Sequence, residues 1–418
     1  MPSYDVIVIG GGASGMMAAG RAAELGSRVL LLEKNRELGK KLSITGGGRC
    51  NILNAEEDER LLLSHYGAAD KFLYSTFAQF GMQSAYSFFE LSKLPLKIEA
   101  QKRAFPASEH AADVVDTLID YMRNGGVEVR TNVTVRKLCA EDGRITHVST
   151  SAGDFTAQAY VLATGGVSHT ETGSTGDGFA WLAELGHTIA PPTPTIVPLK
   201  VKESWVKKLA GIVISDMNIT FVVNGKKAFS RTGPLLFTHF GISGPTVLNS
   251  AGKVADLMYE GAVSARLDLF PGIDQGMMDK KLTALFDANK NKLLRNVLKE
   301  ILPPGTSETI LSLAVAIDPE TKSHSVTKEQ RRALAALFKG VPLTITGLMG
   351  FDRAVVADGG LLLTDIDTRT MRSMKQQNLF VTGDLLHITR PSGGYSLQLC
   401  WTTGFVAGTH AARFDNHA

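Results

Sequence analysis

Cysteine is scarce in this chain. Its three cysteines, Cys50, Cys139 and Cys400, are odd in number and far apart, and no two form a Cys-x-x-Cys pair. A disulfide scaffold, a zinc site and a flavin–disulfide reductase centre all need paired cysteines, so all three readings are set aside, and no metal site is expected. A large excess of one charge is lacking too. A formal net charge of +3 over 418 residues is too small to argue for a nucleic-acid or membrane surface. Clusters of interleaved aromatic and basic residues are missing, which speaks against an RNA-binding face. No apolar run approaches the length of a membrane helix. The first such run is short and leads into glycines, so no secretory signal is expected. A reducing cytoplasm is the expected location. A second Gly-x-Gly-x-x-Gly in a strand–helix context is also absent, which argues against a dedicated NAD(P)H domain.

What is present is a globular composition, 44% hydrophobic and 20% charged, in a chain long enough for two or three domains. Its organising stretch is the N-terminus. Asp5–Ile9 is an apolar, β-branched run that reads as a buried parallel strand. Gly10-x-Gly12-x-x-Gly15 follows at once, with Ala13 and Ser14 inside it, then an alanine-rich helix over 16–25. A second strand, Arg28–Leu32, ends at Glu33. This order is the context a dinucleotide-binding motif requires. Gly10 permits the tight turn, Gly12 leaves the backbone open to a diphosphate, and Gly15 lets the helix pack on the sheet. The helix N-terminus offers free N–H groups to phosphate oxygens. Glu33 is placed to accept from a ribose hydroxyl.

A loop rich in glycine and basic residues follows, from Lys34 to Asn51, containing Lys40, Lys41, Thr45, Gly46, Gly48, Arg49 and Cys50. Such a loop is suited to run along a dinucleotide. Arg49 is its best anion binder. Residues 55–125 read as mainly helical, with amphipathic patterning over Phe72–Leu91. Residues 127–138, which include Val133, alternate as a strand, and 144–158 read as a small meander. The strand 159–163 runs into Thr164-Gly165-Gly166. Residues 172–178 precede a helix, where Asp177 is either a cap or a ligand contact. Pro191–Pro194 reads as a linker. Beyond it come strand-like pieces, an Asn224-Gly225 hairpin turn, and a segment from Pro234 to Pro245 that carries His239. From Asp274 to Lys339 the apolar spacing is helical. The last diagnostic piece is a strand ending in Gly383-Asp384, then Gly393-Gly394-Tyr395 opening a helix. Gly404, Gly408 and Ala411 are expected to let that helix lie close to the sheet.

Several of these motifs, in this order, resemble one family over nearly the whole chain: the three-domain FAD flavoproteins that include BaiN-like reductases and aminoacetone-oxidase-like enzymes. The resemblance rests on Gly10–Gly15, Ile44–Asn51, Ala163–Gly166, Thr172–Gly178, Phe237–Pro245, Val381–Asp384 and Gly393–Tyr395. It implies an α/β fold with an FAD-binding Rossmann-like domain of the two-dinucleotide-binding-domain type, split between the two ends at 1–193 and 344–418. It also implies a β-rich substrate domain over 194–273 and 340–343, and an inserted helical domain over 274–339. Asp384 stands where the family pattern usually has Glu, which keeps the carboxylate.

The expected function is an FAD-dependent oxidoreductase that moves hydride between a small organic substrate and the flavin N5. Arg49, His239 and Tyr395 are the catalytic candidates, and His387 is a further side chain able to move a proton. The residues expected to hold FAD are Gly10, Gly12, Ala13, Ser14, Gly15, Glu33, Lys34, Lys40, Lys41, Thr45, Gly46, Gly48, Arg49, Cys50, Asn51, Val133, Thr164, Gly165, Gly166, Gly383, Asp384, Gly393, Gly394 and Tyr395. NAD(P)H and oxygen stay open as redox partners, and no membrane or nucleic-acid partner is expected. The alternative is an RNA- or protein-binding factor in which FAD is structural or sensory.

Overall fold

The computed structural model describes residues 4–414. Two compact units emerge: one takes the chain up to Thr193 and again from Val355, and the other is Pro194–Ala354.

The first unit is built on strand β1 (Tyr4–Ile9), helix α1 (Ala13–Glu24) and strand β2 (Val29–Leu32). Strands β1 and β2 pair in parallel, with Ile7 opposite Leu30. Strand β3 (Ala157–Leu162) lies parallel on the other side of β1, with Ile7 opposite Tyr160. Helix α2 (Asp177–Glu184) follows. Strand β4 (Leu379–Val381) returns late in the chain to pair in parallel with β3, and helix α3 (Tyr395–Ala412) follows it. The sheet has seven strands, in the order Ile366–Asp367, Arg372–Ser373, β4, β3, β1, β2 and Glu128–Arg130. Its central strands are apolar and covered, with α1 and α3 packed against them and the strand Arg144–Thr150 against β3, and Val6, Ile7 and Val8 are fully buried. The Rossmann-like α/β class expected from the glycine motif is the class observed.

Local departures have physical reasons. The region 55–125 is not all helix. Leu53–Asn54, Leu96–Glu99 and Arg103–Pro106 form a three-stranded antiparallel sheet too short to show a period. The alternating run 127–138 breaks into two pieces, one in the main sheet and one, Val135–Glu141, in a separate meander. The proline-rich run is not a coil. It lies within an extended strand, Ile189–Ile196, which is compatible with proline's fixed φ. Gly404 and Gly408 serve a helix, not the sheet. A Cβ on either would sit 2.4 Å from the carbonyl oxygen of Ser14 or Ala18 on α1. The two ends of the chain are thereby packed helix against helix.

The second unit is a closed six-stranded barrel. Its strands run Leu199–Val201, Gly241–Ser243, Lys226–Phe237, Val213–Val223, Val263–Asp268 and Val341–Leu348, and the last pairs with the first. Residues 344–348, expected in the FAD-binding part, belong to this barrel. The Asn224-Gly225 turn has positive φ at both residues, as a two-residue hairpin requires. The helices Gln275–Ala288 and Lys328–Phe338 enter between the last two strands in sequence. Leu282, Leu334 and Phe338 join Phe221, Leu235 and Leu267 of the barrel in one core.

Candidate functional site

The three motif glycines do different work. Gly10 has φ of +106°, and a Cβ there would lie 2.6 Å from the Ala163 carbonyl oxygen. A Cβ on Gly15 would lie 1.9 Å from the Gly10 carbonyl oxygen. Both positions are required by packing. Gly12 is different: its φ of −86° suits any residue, and a Cβ there would meet nothing within 4 Å. Its bare face opens into a cavity. Gly12 is also the N-cap of α1, where no side chain caps the helix and no acid stands in the first turn. The first N–H groups and the positive end of the helix dipole therefore face the cavity uncompensated by protein.

All the residues that line that cavity belong to the first unit. They include Gly10, Gly12, Ala13, Ser14, Glu33, Lys34, Lys40, Lys41, Thr45, Val133, Thr164, Gly165 and Asp384, all expected from the sequence. Glu33 is buried, and its carboxylate is already partly used. It accepts from Gly11 N–H at 2.7 Å and Asn35 N–H at 2.7 Å. A carboxylate has about four acceptor sites, so capacity for a hydroxyl remains. Lys34 reaches Asp177 at 2.8 Å and Thr175 at 2.6 Å. Asp177 begins α2 without a side-chain capping bond. Burial works to raise its carboxyl, but the bonds from Lys34 and Thr175 outweigh that and hold it below the usual range. Lys40 donates to the Glu171 carbonyl at 3.0 Å and Lys41 to Ser168 Oγ at 3.2 Å. Burial pushes the Lys41 ammonium down, and the nearby Asp384 carboxylate opposes that. In the same wall, Thr164 Oγ1 is buried with no partner. A dinucleotide fits this donor set: bare glycine and helix N-terminus for diphosphate, three lysines for negative charge, a carboxylate for ribose, and an orphaned hydroxyl.

Other expected residues lie outside the lining and form a second cluster. Residues 51–54 dock on the turn that opens α3. Asn51, its amide oriented to satisfy both ends, accepts from Gly394 N–H at 3.0 Å. Asn54 donates to the Gly393 carbonyl at 3.1 Å, and Trp401 Nε1 donates to the Ile52 carbonyl at 2.9 Å. Gly394 has φ of +100°, and a Cβ there would meet the Leu53 carbonyl carbon at 2.3 Å. Gly46 and Gly48 also have positive φ. Gly166 packs on Asp384, and Gly383 on Ser14.

The catalytic candidates are held as follows. Arg49 pairs with Glu99 at 2.5 Å and Glu109 at 3.3 Å, and its guanidinium lies 4.2 Å from the Phe105 ring centroid. The bond from Arg49 holds the Glu99 carboxyl low. Tyr395 stacks on His65 with ring centroids 4.7 Å apart, its carbonyl accepts from Tyr66 at 2.9 Å, and burial raises its hydroxyl pKa. Neither Arg49 nor Tyr395 is in the cavity lining. His239 belongs to the second unit and lines a separate cavity there. His387 Nδ1 accepts from Gly359 N–H at 3.1 Å, which leaves the proton on Nε2 when the ring is neutral. Burial pushes the Cys50 and Cys400 thiols up to about 12, which favours the neutral thiol over the thiolate.

Sequence reasoning missed part of the wall. Asn35, Gly39, Leu42, Ser174, Thr175 and Trp181 line the cavity too. The first five sit in stretches already singled out for glycine content. Trp181 carries no such signal, since its place on an apolar helix face reads as core. Arg390 was missed as well. It is buried, pairs with Asp384, and donates to Ser396 Oγ at 3.0 Å and the Ile388 carbonyl at 2.7 Å. One Asp384 oxygen is taken by this guanidinium, and the carboxylate keeps further acceptor sites, as Glu33 does. Among the described residues no group of three His, Cys, Asp or Glu side chains is placed to hold a metal, and no helix is long and apolar enough to cross a membrane.

A family model described as the HI0933-like protein Rossmann domain matches residues 4–410. The 3-dehydro-bile acid delta(4,6)-reductase of Clostridium scindens is 31% identical over 409 residues, 97% of this chain and 98% of that protein. The ribosomal RNA dihydrouridine synthase of Escherichia coli is 26% identical over 406 residues, 97% of each chain. Among solved structures, the 3-ketosteroid delta1-dehydrogenase of Sterolibacterium denitrificans aligns with a TM-score of 0.56 at 14% identity, covering 99% of this chain and 100% of that one. At that identity the likeness is one of fold.

Proposed function

The chain belongs to the HI0933-like family, and from that premise we propose that it reduces a carbon–carbon double bond conjugated to a carbonyl. It is an FAD-dependent oxidoreductase. The observation that carries the finer reading is a chemistry common to two relatives that match this chain almost end to end. One is named for delta(4,6) reduction of a 3-dehydro-bile acid, the other for making dihydrouridine in ribosomal RNA. Both names describe hydrogen added across a ring double bond that a carbonyl polarises.

When bound, FAD supplies a two-electron centre able to take hydride from a donor and give it to carbon. The chain's own residues do the rest. Gly12 and the N–H groups at the start of α1 would hold the diphosphate, with Lys34, Lys40 and Lys41 adding positive charge. Glu33 would take a ribose hydroxyl. Arg390 fixes the Asp384 carboxylate at the cavity wall. Reduction of such a double bond also needs a proton at the neighbouring carbon, and His387 and Tyr395, both in the first unit, are the side chains to test for that role. A soluble NAD(P)H donor and an intracellular location complete the proposal, and three free thiols suit a reducing compartment.

A second substrate reading, a uracil base within RNA, is favoured by one observation beyond the E. coli relative. Pro194–Ala354 carries 21 Lys and Arg against 14 Asp and Glu, so the basic excess is concentrated in the second unit.

The test is anaerobic. Purified holoprotein is reduced with NAD(P)H, then offered cyclic enones and, separately, uridine-containing RNA. Loss and recovery of the oxidised-flavin absorbance with an enone supports the first reading, and recovery with RNA alone replaces it by the second. Reduced protein that returns to the oxidised form with neither overturns both.

A further inference from the structure

The second unit contains a polar cavity that the dinucleotide site does not use. It is formed where strand Leu199–Val201 ends, along the short helical segment Ser204–Leu209, and beside the tight loop 238–241. Lys202, Lys207 and His239 line it, together with Ser204 and Glu203. Glu203 is the one acid in the lining, and it is already engaged. Both of its oxygens lie 2.9 Å from the Thr344 N–H, on the neighbouring barrel strand. The loop that carries His239 is fixed from behind, with the Thr238 hydroxyl donating to the Gly241 carbonyl at 3.0 Å and the Thr238 N–H at 2.8 Å. The cavity lining thus brings together two lysines, a histidine and a serine, while its one carboxylate is engaged by backbone.

We propose that this cavity binds an oxyanion, the carboxylate or phosphate group of a small organic ligand, between Lys202, Lys207 and His239. Lysine ammoniums act there as compact point charges, so the site reads charge and not the planar shape that an arginine fork would select. The inference stands apart from the double-bond chemistry, because it concerns only residues of the second unit.

The experiment uses FAD-loaded protein, so that the diphosphate site is filled. Inorganic phosphate and acetate are titrated separately while the histidine ring resonances are followed by NMR, with His239 assigned by His239→Gln. Saturable movement of the His239 resonances is expected with at least one of the two anions. Equilibrium dialysis with the same anion is expected to show one site per chain. The double variant Lys202→Ala/Lys207→Ala should bind about tenfold more weakly or worse, as expected for loss of charge-assisted contacts. Lys208→Ala, which removes an exposed lysine outside the lining, should bind as the parent does. No movement of His239 with either anion overturns the proposal, and so does equal binding by the double variant. Because the resonance measurement is made on the unaltered protein, it decides the matter even if the double variant folds poorly.

Discussion

Glu33 closes the end of β2 onto the glycine turn: the residue is buried, and its carboxylate accepts the Gly11 N–H at 2.7 Å. The residue expected to hold ribose is therefore also a strut of the empty-handed fold. Glu33→Ala leaves the N–H groups of Gly11 and Asn35 without that partner, at about 1–3 kcal/mol for each donor that water fails to reach. Glu33→Gln keeps one acceptor oxygen. Thermal melting of FAD-free protein should rank parent, Gln, Ala in falling order. FAD affinity should drop in both variants, since neither offers a carboxylate to the sugar. A Gln variant that binds FAD like the parent would remove Glu33 from the ribose contact.

The glycine motif separates packing from binding, and two substitutions expose the division. Gly15→Ala drives a Cβ onto the Gly10 carbonyl, and overpacking of that kind costs about 1–3 kcal/mol or more. Gly12→Val should leave the melting temperature of FAD-free protein nearly unchanged, because nothing lies within 4 Å of the new Cβ. The same side chain fills the space above the helix N-terminus and should weaken FAD binding at least about tenfold. Melting and FAD titration on each variant check this. A Gly12→Val protein that binds FAD normally would mean the diphosphate lies elsewhere.

These contrasts mark what the sequence carries and what it does not. Strand, glycines, helix and acid are local, so β1, α1, β2 and Glu33 were legible from spacing alone. The strand ending in Gly383-Asp384 was legible for the same reason. Side-chain pairing across long separations has no period. The Asp384–Arg390 pair was not legible, because nothing in a strand–Gly-Asp pattern says that Arg390 will turn back on the carboxylate. The short sheet at 53–54, 96–99 and 103–106 is set by tertiary pairing, and strands of two to four residues are too short to show alternation. The barrel's closure lies in the pairing of its first and last strands, Leu199–Val201 and Val341–Leu348, which the sequence separates by the whole second unit.

The Asp384–Arg390 pair predicts a non-additive pair of mutations. Arg390 is almost wholly buried, and removing it leaves a partly buried carboxylate unpaired. Arg390→Met should destabilise by about 3–5 kcal/mol. The double variant Arg390→Met/Asp384→Asn removes the stranded charge and should recover part of that loss. Denaturant unfolding of the four proteins in the cycle measures the coupling. Equal losses in the single and double variants would show that the arginine acts through packing alone.

His187 gives the fold an acid-sensitive point away from the cofactor cavity. The ring is buried, with Nδ1 3.0 Å from the Leu182 carbonyl and Nε2 2.6 Å from Ser373 Oγ. A neutral ring satisfies both contacts: Nδ1–H donates to the carbonyl and Nε2 accepts the hydroxyl proton. Burial lowers its pKa, against backbone hydrogen bonding and the Asp365 carboxylate, which favour the charged form. The unfolded chain therefore takes up this proton at a higher pH than the folded one. The contribution to stability is full above the unfolded value, about 6.5, and is lost as pH falls from there through the folded value. Melting temperature measured downward from pH 8 should begin to drop near that point, and His187→Gln should show a shallower drop over the same window. Parallel curves for the two proteins would assign the acid sensitivity to other groups.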